Sequence, residues 1–132
     1  MLLLVCLAGA AQALDWGGYT DGIRRARAEG RPVVISFYGR GAGWERRMNT
    51  DAYAGIRARL GECVLVRVDV EGGDLVQYRG REQTEAQLAR EFGIGAVPTL
   101  AILDRNGDPV ATIVGYTAPE ELESALRRCL GR

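Results

Sequence analysis

Two short apolar runs flanking an amphipathic stretch constrain this chain more than any other feature. Val33-Val34-Ile35-Ser36-Phe37-Tyr38 and Cys63-Val64-Leu65-Val66-Arg67-Val68-Asp69-Val70 are rich in β-branched residues and almost continuously apolar. Strands buried on both faces of a sheet have this pattern. Between them, Trp44, Met48, Ala52, Ile56 and Leu60 recur at every fourth position, which predicts an apolar stripe on a helix from about Trp44 to Leu60. Strand, helix and strand make a βαβ unit, whose crossover is right-handed.

The flanking segments extend the alternation. A helix is expected over Tyr19 to Glu29, with Ile23 and Ala26 facing inward, Thr20 or Asp21 as cap and Gly30 as stop. Glu71 to Gln83 reads as a polar connection anchored by Leu75, Val76 and Tyr78. Thr84 and Gln87 have capping-box spacing ahead of a helix to Phe92 that turns Leu88 and Phe92 inward. Val97 to Leu103 and Pro109 to Val114 are expected as paired strands around Asp104-Arg105-Asn106-Gly107-Asp108, because Asn-Gly favours the positive φ of a hairpin turn. Thr117 or Ala118 then caps a last helix, with Pro119 at its first position, running to about Leu130. The order α-β-α-β-α-β-β-α predicts an α/β fold: a central mixed sheet of about four strands with helices on both faces.

Composition narrows the chemistry. All 17 basic residues are Arg, they balance 17 acidic ones, and the 132 residues suit one domain. Without Lys or His there is no Schiff-base lysine, no phosphate-loop lysine and no histidine base. Imidazole metal sites are excluded, and the three cysteines are too scattered to suggest a thiolate site, so no metal and no cofactor is expected. Zero net charge argues against a nucleic-acid partner. Ser36 lies within a strand run and Ser124 within a helical one, with no base to activate either.

Met1 to Ala13 reads as a signal peptide: an apolar run from Leu2 to Ala11 ends in Ala11-Gln12-Ala13, a small-x-small cleavage pattern. The expectation is a leader over residues 1–13, a domain over 14–132, a periplasmic or secreted location, and no stable membrane span after cleavage. Cys6 leaves with the leader. Cys63 and Cys129 then remain, and in an oxidising compartment they are naturally a disulfide pair. Two separate buried thiols are the alternative.

Four segments resemble the thioredoxin family, and together they cover nearly all of the mature chain. They are Arg31 to Tyr38, Val64 to Val70, Leu88 to Leu100 with Pro98 at the family's cis-proline position, and Leu103 to Gly107 followed by Val114-Gly115-Tyr116. The long connection Asp74 to Glu85 is similar to exported thioredoxin-like proteins of the SoxW type, which are linked to periplasmic thiol reduction. The resemblance implies a thioredoxin-like fold and, for an intact member, thiol–disulfide oxidoreductase activity.

The chain departs from the family where that activity resides. At the C-x-x-C position stand Ala42, Gly43, Trp44 and Glu45, so both cysteine positions are lost, to Ala42 and to Glu45. Dithiol exchange needs a first thiolate and a second cysteine to resolve the mixed disulfide, and neither Ala nor Glu forms a sulfur bond. No catalytic residue is therefore expected in the vacated motif. Glu45 suits a helix's first turn, Trp44 suits either a partner contact or the core stripe, and Arg40, Arg46 and Arg47 suit a solvated face. The family pairs an extended substrate with the backbone just before its cis-proline, which implies a binding groove of Gly41 and Trp44 facing Val97, Pro98 and Thr99.

Three functions remain open at this level. One is a redox-inactive module binding a protein or extended peptide. Another is an oxidoreductase working through Cys63 and Cys129, which the family topology places away from the redox loop. The third is a purely structural domain.

Overall fold

The computed structural model describes residues 14–39, 53, 56–115 and 117–130. In chain order the elements are β1 (Trp16–Gly17), α1 (Tyr19–Glu29), β2 (Val33–Tyr38), α2 (Arg57–Leu60), β3 (Val64–Asp69), β4 (Leu75–Tyr78), β5 (Arg81–Thr84), α3 (Glu85–Glu91), β6 (Thr99–Leu103), β7 (Pro109–Val114) and α4 (Pro119–Leu130).

β2 and β3 form the parallel centre of the sheet, in register from Val33 opposite Val64 to Tyr38 opposite Asp69. On its other side β2 pairs antiparallel with β6, from Val33 opposite Leu103 to Phe37 opposite Thr99, and β7 continues the sheet antiparallel to β6. Strand alternation sorts the side chains into two layers. Val33, Ile35, Phe37, Val64, Val66 and Val68 face α1 and α3, where Tyr19, Ala26 and Leu88 close one core. Val34, Cys63, Leu65, Leu100 and Ile102 face Ile56, Leu60 and the α4 residues Leu122, Ala125, Leu126 and Leu130, which close the other. This two-sided burial is why β2, β3 and β6 read as apolar runs.

Several local expectations differ from the structure. The central sheet has five strands in the order β1-β3-β2-β6-β7 rather than about four, because Trp16 and Gly17 add a short parallel edge beside Leu65 and Val66. The connection expected over Glu71 to Gln83 contains the antiparallel hairpin β4–β5, which turns through Arg79 (φ 51°) and Gly80 (φ 78°). Positive φ at both central positions matches the twist of a two-residue hairpin. The cap of α1 is Gly18, with no side-chain hydrogen bond, rather than Thr20 or Asp21. Thr20 instead accepts the Gln77 N–H at 3.0 Å and ties α1 to β4.

Other local expectations match. Gly30 ends α1 in the left-handed conformation at φ 65°. Thr84 and Gln87 form the reciprocal capping box at the start of α3. The helix expected from about Trp44 to Leu60 is instead interrupted at Ile56, whose non-helical backbone (φ −132°, ψ 30°) caps the short α2; of its stripe Ile56 and Leu60 are buried, and Trp44, Met48 and Ala52 lie outside the described residues. Met1 to Ala13, the expected leader, also lies outside them.

The register separates two ends of the sheet. Tyr38, Asp69, Thr99 and Val114 share one end, and Val33, Val64 and Leu103 share the other, about 13 Å away for a four-residue step along a strand.

Candidate functional site

The first of these ends is built around the loop that enters β6. The Val97–Pro98 peptide bond is cis. Two short hydrogen bonds fasten the loop on either side of it. The Thr99 hydroxyl donates to the Ala96 carbonyl at 2.7 Å, and the Gly115 N–H donates to the Pro98 carbonyl at 2.7 Å. Gly115 reaches that position at φ 86°, a left-handed conformation that a side chain would resist. Thr99 and Pro98 are buried, Val97 is half-buried, and Gly95 and Ala96 are exposed.

Gly39 follows β2 and brings that strand's end against this loop. A Cβ at Gly39 would lie 3.1 Å from Val97 Cγ2, so the absent side chain makes room for Val97. On the far side, Val114 lies opposite Thr99 and is 65% exposed. Among the described residues, neither the N–H nor the C=O of Val97 has a backbone hydrogen-bond partner. Among the described residues this stretch of main chain is thus without a backbone partner and lies beside apolar surface, as a strand-pairing site requires. Gly41, Ala42, Gly43, Trp44 and Glu45 lie outside the described residues.

Two further contacts at this end were not anticipated from sequence. The Arg67 guanidinium stacks over the Tyr38 ring, 4.4 Å from its centroid. Glu85, at the start of α3, accepts the Asp69 N–H at 3.3 Å. Burial pushes the Glu85 carboxyl above its ordinary range, and the nearby Asp74 and Asp69 push the same way against that hydrogen bond. Arg67 interrupting an apolar run was the available signal. The Glu85 contact spans a hairpin and leaves no local trace.

Cys63 and Cys129 sit at the opposite end. Cys63 precedes Val64 at the start of β3, and Cys129 is in the last turn of α4. Both belong to the α4-side core, Cys63 buried and Cys129 half-buried. The expected bridge is not formed: each is a free thiol turned to a carbonyl, Cys63 Sγ toward Arg59 O at 3.9 Å and Cys129 Sγ toward Leu103 O at 4.0 Å. Burial, and then the neighbouring Cys129, push the Cys63 thiol up to about 12, against the opposing charge of Arg31. Burial and Asp104 also raise Cys129, and Arg128 opposes them. Exchange proceeds through the thiolate, so raised pKa values make both poor nucleophiles near neutrality. Among the described residues no group of three or more His, Cys, Asp or Glu could hold a metal ion.

A family profile described as a thioredoxin-like domain matches residues 19–129. The chain belongs to the thioredoxin-like family. Within that family it is similar to the thiol:disulfide interchange protein DsbD of Ralstonia nicotianae, at 31% identity over 121 residues, covering 84% of this chain and 17% of the relative. It is also similar to the mitochondrial thioredoxin of Bos taurus, at 26% identity over 100 residues, covering 76% of this chain and 52% of the relative. The chain thus spans about half or less of the length of these curated relatives. Among solved structures, a thioredoxin from Thermus thermophilus superposes with a TM-score of 0.69 at 24% identity, covering 89% of this chain and 87% of that one. A DsbH oxidoreductase superposes at 0.63 and 19% identity, covering 98% and 92%. These structural likenesses bear on the thioredoxin-like fold, which is the one described above.

Proposed function

We propose that this chain is an exported thioredoxin-like domain that no longer performs dithiol exchange and binds a protein or extended peptide segment beside Pro98. One feature of the sequence supports the reading: Ala42 and Glu45 stand where the family resemblance places the two motif cysteines. The site can still bind without them. The Val97 main chain, without a backbone partner among the described residues, supplies the strand-pairing edge, and Val97 with exposed Val114 supplies apolar contact. Gly41 and Trp44 would form the facing wall of the groove. The leader-like Met1 to Ala13 segment and the SoxW-like length of the Asp74 to Glu85 connection support export to the periplasm or beyond.

The names DsbD and DsbH draw attention to a second reading, thiol–disulfide exchange through Cys63 and Cys129. Burial, raised pKa values and distance from the Pro98 loop oppose it.

The test compares the wild-type chain with the Ala42→Cys, Glu45→Cys double variant on a disulfide reporter protein. The wild type is expected to be inert and the double variant to reduce the reporter. Reduction by the wild type that disappears in Cys63→Ser would overturn the proposal in favour of the second reading. A folded but inert double variant would show that residues 42–45 do not occupy the motif position. A photo-crosslinker at position 44 tests the binding half: transfer to an extended peptide supports the groove, and labelling that Val114→Asp leaves unchanged refutes its location.

A further inference from the structure

The order β1-β3-β2-β6-β7 leaves β1 and β7 each paired on one side only among the described residues. β1 is two residues long, too short to template a further strand. β7, Pro109-Val110-Ala111-Thr112-Ile113-Val114, has six residues, is β-branched at four of them and carries no charge. Soluble proteins keep a sheet edge from pairing by charged side chains, proline, a bulge or a covering segment. On β7 proline and irregularity are confined to one end, where Pro109 opens the strand and the register with β6 shifts between Ile102 and Leu103. Ala111 to Val114 is left regular. Which main-chain groups face outward follows from the ladder. The Gly115 N–H donates to the Pro98 carbonyl, in register with Val114 opposite Thr99. Hydrogen-bonded pairs alternate in an antiparallel ladder, so Ile113 and Ala111 also turn their main chain to β6, and Thr112 and Val114 turn theirs outward. The side chains of Thr112 and Val114 are exposed, whereas Ile113, on the other face, packs against the α4-side core.

We propose that β7 pairs with β7 of a second copy of this chain, antiparallel about a two-fold axis at Ile113, joining the two five-stranded sheets into one. In that register Thr112 stands opposite the second copy's Val114, and each such pair exchanges both of its outward N–H···O bonds. Every bond of the existing β6–β7 ladder is kept. The spacing of the outward residues selects a copy of the same strand: a two-fold at the residue between them satisfies both chains at once, as an isologous contact requires. Charge agrees. Residues 111–115, which the register pairs with one another, carry none, and the chain's net charge is zero, so two copies meet without repulsion. An edge built for a strongly acidic or basic partner would carry the opposite sign. The side chains match as well. Thr112 and Val114 make β-branched cross-strand pairs on one face, and Ile113 meets Ile113 across the axis on the other, extending the α4-side core from one copy to the next. Ala111 falls opposite Gly115, which has no side chain to crowd it. The inference is independent of the Pro98 reading, which uses the main chain of Val97.

Sedimentation velocity of the full chain over a concentration series in reductant tests this, with far-UV circular dichroism confirming that each variant is folded. The wild type is expected to pass from monomer to dimer as concentration rises. Thr112→Pro removes an outward N–H without touching the β6 ladder and should weaken the association at least about tenfold. Two double variants carry the test without a proline. Thr112→Lys with Val114→Lys sets like charges opposite each other on both sides of the axis and should leave the chain monomeric throughout. Thr112→Lys with Val114→Glu makes the same positions attract and should restore the dimer. A wild type that stays monomeric to about 1 mM overturns the pairing. So does an association that the Thr112→Lys, Val114→Lys variant leaves intact. Association that Thr112→Lys with Val114→Glu fails to restore overturns the two-fold at Ile113, because an apolar patch without a strand register would respond to both double variants alike.

Discussion

Arg31 offers the sharpest test of how the Cys63 end of the sheet is held together. Its guanidinium donates to the carbonyls of Cys63 at 2.7 Å, Gly61 at 3.2 Å and Glu62 at 3.4 Å, and it pairs with Glu29 at 2.6 Å. One side chain after α1 therefore fastens the turn that feeds β3. The contacts are unequal. Gly61 is exposed and Glu62 half-exposed, so water can replace Arg31 at their carbonyls, whereas the Cys63 carbonyl belongs to a buried residue. The Glu29 pair is open to solvent and adds little. A single well-formed charge-assisted bond at a partly buried carbonyl is worth about 2 kcal/mol.

Arg31→Met keeps the aliphatic stem and removes that bond. Its urea midpoint by far-UV circular dichroism, measured in reductant, should fall by about 1 M at unchanged slope. Arg31→Lys should recover less than half, because an ammonium cannot span three carbonyls with a planar fork. Full rescue by Lys would show that only the charge matters. A loss under about 0.5 kcal/mol for Met would show the clamp to be ornamental. Either result refutes the reasoning. The sign of the pH dependence gives a further check. The hydrogen bond from Arg31 lowers the Glu29 carboxyl below its ordinary range, so that pair stabilises above the unfolded carboxylate pKa and is lost as pH falls through the folded one. The difference between wild type and Arg31→Met should therefore narrow in acid.

Three other outcomes are expected. Burial raises Cys63 from 9.0 to about 12 and Tyr19 from 10.0 to about 12. Both folded values exceed the unfolded ones, so in reductant stability should hold below pH 9, fall above it as Cys63 and the likewise raised Cys129 contribute, by up to about 1.4 kcal/mol per pH unit for each group, and fall more steeply once Tyr19 joins; Cys63→Ser should shrink the first phase of an alkaline urea-midpoint series. At Gly22 a Cβ would overlap Cγ2 of fully buried Val66, so overpacking in Gly22→Ala should outweigh a helix-propensity gain of about 1 kcal/mol, and a stabilised variant in urea melts would show that α1 can shift. Thr99→Val keeps the side-chain shape but deprives the Ala96 carbonyl of its donor; a loss of about 1 kcal/mol is expected by urea titration, with weaker peptide crosslinking at position 44 if the hydroxyl positions the Pro98 loop.

What was legible in the sequence follows from where local pattern and long-range packing agree. β2, β3 and β6 are buried on both faces, so their apolar runs stand out without any knowledge of their partners. The α3 capping box and the Gly30 stop are local chemistry and needed no tertiary information. β1 was invisible because two residues have no periodicity; its strand geometry exists only through pairing with Leu65 and Val66. The β4–β5 hairpin was hidden for another reason. Arg79 takes a turn conformation that Asn, Asp or Gly usually signals, and Arg81-Glu82-Gln83-Thr84 presents no apolar alternation. Pro98 was legible through family resemblance. The Thr99, Gly115 and Gly39 contacts that fasten its loop come from three separate chain segments, and no sequence spacing joins them.

The separation of the two ends bears on how such a fold would stand without the family's motif cysteines, as the proposed function requires. The described core is closed by Phe37, Leu88 and Tyr19 on one face and by Leu60, Leu122 and Leu126 on the other, with every strand of the sheet braced by these layers. The Pro98 loop is likewise fastened by its own hydrogen bonds to Thr99 and Gly115 rather than by a sulfur atom. Loss of the redox pair can thus leave both the scaffold and its strand-pairing edge standing. If the edge were idle, the Thr99 hydroxyl bond and the exposed Val114 would carry no binding role, and Thr99→Val and Val114→Asp would leave peptide crosslinking unaltered. A selective loss of crosslinking in those variants, with the fold intact, is the result that separates a retained binding site from an inherited shape.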